Sequence, residues 1–75
     1  MDTDEKLIYM ANQIAANFAV QGEAKAVPAI ADHIRKFWDP EMRRAFMVVA
    51  AKPDAKLHPM VQKAVEHLMA KQPSP

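Results

Sequence analysis

A chain of 75 residues, 51% of them hydrophobic, has room for one domain and one small core. The absence of cysteine excludes disulfides and thiolate metal sites, and a formal net charge of +1 is too balanced to point to a polyanion ligand. Chains this short bury only about 60% of the surface they expose when unfolded, so either well-made helix packing or a partner is expected to supply the missing stability.

A single glycine and no alternating apolar pattern predict an all-α chain. The expected architecture is a small compact bundle of three to four helices. It forms one domain over residues 1–75, with short flexible ends at about 1–3 and 72–75. Helix one starts near Asp4, where Asp2 and Glu5 have the spacing of a capping box and suit the positive end of the helix dipole. It closes around Gln21-Gly22. Leu7, Ala11, Ile14, Ala15 and Phe18 fall on one side and form a core stripe. Tyr9, Gln13, Ala16 and Val20 line up on the other. No charged residue occurs from Leu7 to Val20, yet the stretch is too short and too polar to span a membrane. A helix with two uncharged faces is expected to pack one on its own domain and the other on something else.

Helix two runs from about Ala24 or Val27 to Trp38, and placing Pro28 in its first turn puts the start close to Ala26. Val27, Ile30, Ala31, Ile34, Phe37 and Trp38 form its inward stripe, and Asp32 is spaced to pair with Lys36. Asp39-Pro40 is an N-cap followed by proline at the first helical position, so helix three follows at once and runs to about Ala51. Met42, Ala45, Phe46 and Val49 face inward along it, while Met47 points roughly the other way and Val48 lies at the edge. A short loop from Lys52 to Lys56 leads to His58-Pro59, which opens helix four, with Val61, Ala64, Val65 and Leu68 inward.

Little in this chain can carry catalysis. The hydroxyl side chains are Thr3, Tyr9 and Ser74, two of them in terminal segments. Without cysteine, a nucleophilic triad has nowhere to start. His33, His58 and His67 form no i, i+4 ligand pair and no HExxH motif, so they read as boundary and capping residues. His33 is placed to cover Phe37. Asp32, Asp39, Glu41 and Asp54 read as caps or solvated charges, and no Gly-rich phosphate loop occurs. No catalytic, cofactor or metal residues are therefore assigned.

Arg35, Lys36, Arg43 and Arg44 surround Trp38 and could meet an anion, a nucleic acid or a partner. The bland reading is that they keep an amphipathic surface soluble. Helix three continues as Ala-Phe-Met-Val-Val-Ala-Ala, which cannot read bases, so nucleic acid is not expected. The acidic N-terminus is unlike a secretory signal, and the chain is read as cytoplasmic with no membrane partner.

Three blocks resemble a known family: Lys6 to Ala15 with Phe18, His33 to Arg43, and Leu57 to Val61. In order and spacing they are similar to the delta subunit of soluble NAD-dependent formate dehydrogenase, over nearly the whole chain from Asp4 to about Leu68. The resemblance implies a cofactor-free accessory or assembly subunit of a multisubunit molybdenum or tungsten enzyme. Its partner is the catalytic alpha subunit. Bis-molybdopterin guanine dinucleotide, iron–sulfur clusters and FMN belong to the partner subunits. The expected partner interface is Tyr9, Asn12, Gln13, Asn17 and Val20, with Arg43 and Met47. Trp38, Asp39, Pro40, His58 and Pro59 are expected to form structural corners. The alternative reading is a self-associating helical module, homodimeric when isolated, or more remotely a nucleic-acid or anion binder.

Overall fold

In the computed structural model, residues 3–70 are described, and they form four α-helices with no strand among them. Helix α1 spans Thr3–Phe18 and tightens into a 3₁₀ turn at Ala19–Gln21. Gly22 then reverses the chain at φ 87°, a conformation open to a residue without a Cβ. Asp2 and most of the expected flexible ends lie outside the described residues, although Thr3 already opens α1.

Helix α2 spans Glu23–Phe37, about one turn earlier than the position of Pro28 implied. The Gly22 carbonyl accepts from the amides of Lys25 and Ala26, so the helix nucleates directly on the turn. Pro28 then lies inside α2, where it removes the bond that its amide would have made to the Ala24 carbonyl. Both Ala24 and Pro28 are exposed, and water can take up the unpaired carbonyl.

Helix α3 spans Pro40–Ala50, and the Asp39 side chain accepts from the Met42 amide at 2.8 Å, with Pro40 at the first position. The Asp39-Pro40 start is thus as read from the sequence. Helix α4 spans Pro59–Ala70, and its first turn bonds back to the His58 carbonyl through Val61 and Gln62.

The core takes Leu7, Ala11 and Ala15 from α1 and Ala26, Ile30, Ala31 and Ile34 from α2. Phe46 comes from α3, and Val61, Ala64 and Leu68 from α4. α2 and α4 make the most extensive pairing, with α1 against α2 and α3. Alanines at the α1–α2 and α2–α4 contacts let the helix backbones approach closely, which suits a core with few large side chains. Trp38 closes the end of α2 and meets Phe46 edge to face at 5.3 Å between ring centres.

Two expected placements are overturned. Phe37, read as part of the inward stripe, is 74% exposed, because it sits in the last turn of α2, where no other described segment reaches over it. Met47, read as pointing away from the core, is half-buried and packs against it, while Val48 faces outward. α3 is therefore rotated slightly from the stripe inferred for it. Asp32 also pairs with Arg35 at 2.6 Å and not with Lys36, since the shorter i, i+3 reach suits the planar guanidinium.

Candidate functional site

The outer face of α1 is built from residues one turn apart. Tyr9, Gln13, Ala16 and Val20 are all exposed, Tyr9 by 53% and Val20 by 90%. At 1.5 Å rise per residue the strip from Tyr9 to Val20 is roughly 16 Å long. Asn17 is exposed beside it. Leu7, Ala11 and Ala15 anchor the opposite side of the same helix at the core, so this face cannot turn inward. The surface consists of a phenol ring, a primary amide, a methyl and an isopropyl group, with no formal charge.

One flank of this strip opens into a groove beneath Tyr9. Its apolar floor is Ile8 and Val49, and Asp4, Lys52 and Lys56 stand at its edge. Lys52 and Asp4 are 3.7 Å apart across it, an exposed pair that contributes little to stability.

Three of the expected contact residues have work inside the fold. Asn12 donates from Nδ2 to the Lys56 carbonyl and accepts the His58 amide at Oδ1, both at 2.9 Å. The Asn12 side chain therefore ties α1 to the connection before α4. Arg43 donates from Nη1 to the Arg35 carbonyl at 2.6 Å and the Trp38 carbonyl at 3.2 Å. That guanidinium caps the C-terminal end of α2, where free carbonyls carry partial negative charge. Met47 is the core residue described above. Tyr9, Gln13, Asn17 and Val20 are left as the outward set.

The corner residues share a different logic. Trp38 is buried, while Asp39 and Pro40 are exposed at the α3 start. His58 accepts the Met60 amide at Nδ1, 3.1 Å away, and so caps α4 in front of Pro59. Around Phe37, the His33 ring lies 4.8 Å from the Phe37 ring and 6.1 Å from that of Phe18. His33 does cover Phe37 on one side, and the other side is open. The sequence offered one signal of this shelf: Phe37 is in the last helical turn before the Asp39-Pro40 break.

Among the described residues, no group of three or more His, Asp or Glu side chains is placed to hold a metal ion. No helix among them is long and apolar enough to cross a membrane. No curated protein and no solved structure matches the chain. The family model described as NADH-dependant formate dehydrogenase delta subunit FdsD matches residues 6–65, a span that holds the whole strip from Tyr9 to Val20, both corners and the Asn12 tie. With most of its length matched, this chain belongs to the FdsD family, the delta subunit of an NAD-dependent formate dehydrogenase that works in complex with other subunits.

Proposed function

We propose that this chain is a non-catalytic accessory subunit that docks on the catalytic alpha subunit through the outer face of α1 and supports that subunit's stability or cofactor loading. The observation that carries the reading is the uncharged, exposed strip of Tyr9, Gln13, Ala16 and Val20. Burying an ionised Lys or Glu without a partner is expensive, whereas a methyl, a phenol or an amide that finds a hydrogen bond is readily desolvated. In this reading, molybdopterin, iron–sulfur and flavin chemistry belongs to the partner subunits. The chain acts in the cytoplasm, and neither a membrane nor nucleic acid is involved.

The test is purification of the tagged full-length chain from cells that make active enzyme, with assay of formate-dependent NAD reduction. Co-elution of the catalytic subunit with activity supports the reading. Recovery of this chain by itself, while the activity elutes elsewhere, overturns stable docking. Gln13→Glu places a charge at the middle of the strip and should weaken the complex without changing the helicity of the free chain. Unaltered assembly by that variant removes the outer face of α1 from the interface.

A further inference from the structure

We propose that the Phe18–His33–Phe37 shelf is a second contact surface, and that its occupant is an acidic segment of a partner subunit anchored by an apolar side chain. The proposal rests on the docking reading above. Phe37 follows Ile34 by three residues and Ile30 by seven, the spacing of a core position, yet it is 74% exposed. Its periodicity belongs to an interior, and no described segment of this chain supplies the lid. The ring is held in place from one side by His33, which in turn meets Phe18, so three rings form a rank across the ends of α1 and α2. Such a rank loses little conformational entropy when covered, and aromatic anchors of this kind dominate interface energetics.

Charge selects the occupant. Of the four cations around the α2–α3 junction, Arg35 is paired with Asp32, and Arg43 is bonded to two carbonyls. Among the described residues, Lys36 is exposed and has no ion-pair or hydrogen-bond partner. Lys36 precedes Phe37 on α2 and so flanks the His33–Phe37 side of the helix. An apolar anchor on the Phe37 ring, with a carboxylate directed at Lys36, satisfies both halves of the surface. A basic or uncharged segment leaves that cation unmatched.

The experiment measures binding of the purified full-length chain to the remaining formate dehydrogenase subunits, isolated from cells that lack this chain, at two salt concentrations. Because Phe37 is so exposed, Phe37→Ser should leave helicity and thermal unfolding nearly unchanged while weakening binding about tenfold or more. Lys36→Glu should weaken binding at low salt by about three- to tenfold and flatten its salt dependence. Wild-type binding by both variants, with Gln13→Glu still disruptive, overturns the shelf and leaves the docking reading intact. If the wild-type chain itself does not bind these subunits, the docking reading fails first. A doubled solution mass for the isolated chain that Phe37→Ser abolishes assigns the shelf to a second copy and overturns the proposal.

Discussion

Asn12 and His58 are joined across the fold: the Asn12 side-chain oxygen accepts the His58 amide at 2.9 Å, although the residues are 46 apart in sequence. The Asn12 side-chain nitrogen, Nδ2, donates to the Lys56 carbonyl, so one side chain holds both ends of the last loop residues before α4. His58 then presents its ring nitrogen to the Met60 amide. α1 thereby fixes where α4 begins, through polar contacts laid over the apolar core.

Removing that tie should be measurable. Asn12→Leu leaves the His58 amide and the Lys56 carbonyl without their partner, in a half-buried setting where water makes good part of the loss. A destabilisation of about 1–2 kcal/mol is expected in urea unfolding. Asn12→Asp keeps the acceptor and loses the donor, so its loss should be smaller. Equal stability of all three proteins would show that the hydrogen bonds exchange freely with water.

The His58 cap can be tested by replacement with residues of known capping strength. His58→Ala should cost about 1 kcal/mol, and His58→Asn or His58→Ser should recover most of it. Thermal unfolding followed by far-UV circular dichroism distinguishes this from a packing role, for which Asn and Ser would do no better than Ala.

Arg43 acts within the chain as the cap on the end of α2. Arg43→Ala should lower stability by about 1 kcal/mol, with Arg43→Lys intermediate, because lysine lacks the planar fork but keeps a charge near the helix C-terminus. Complex formation, measured at a temperature where both proteins are folded, should change little. A large loss of binding at unchanged stability would return Arg43 to the partner interface.

Gly22 isolates a backbone effect. A Cβ added there meets nothing within 4 Å, so Gly22→Ala meets no steric clash with other residues. The positive φ, with ψ 151°, still penalises any L side chain, and about 1–3 kcal/mol of destabilisation is expected. A neutral outcome in chemical denaturation would mean that the turn relaxes into another conformation.

The core leaves little margin. Phe46 is fully buried and packs its ring on Trp38, and Phe46→Ala should cost about 3–5 kcal/mol. A core of this size supplies a stability of about the same magnitude, so the isolated variant should be largely unfolded at 25 °C. If partner binding contributes stability by mass action, the variant should regain helicity on mixing with the purified partner subunits.

Much of this was legible along the chain. The all-α class, the core positions Leu7, Ala11, Ala15, Ile30, Ile34, Phe46, Val61 and Leu68, and the Asp39-Pro40 start follow from helical periodicity and local capping chemistry. Both act over one or two turns. The exposure of Tyr9, Gln13, Ala16 and Val20 followed from the same period, because the other face of α1 was so clearly apolar. Their role in assembly is a separate matter, decided by a partner and not by periodicity.

Other features depended on what meets what in three dimensions. Periodicity gives the direction in which a side chain leaves its helix, but not whether a neighbour reaches that far along the axis. Phe37 lies along a core stripe and is still 74% exposed, although Ile34 before it and Trp38 after it are buried. Met47 packs on the core and Val48, read as an edge position, faces outward, because a helix of 11 residues can rotate by a fraction of a turn to seat Phe46 and Val49. Asn12 and Arg43 looked free for a partner, yet their acceptors are backbone carbonyls brought near only by folding, and in Asn12's case 44 residues away. Local sequence determined the helices, most of their caps and their apolar faces, because those forces are short-ranged along the chain. Tertiary structure decided which polar side chains are already engaged and which apolar ones remain open, because both depend on groups distant in sequence.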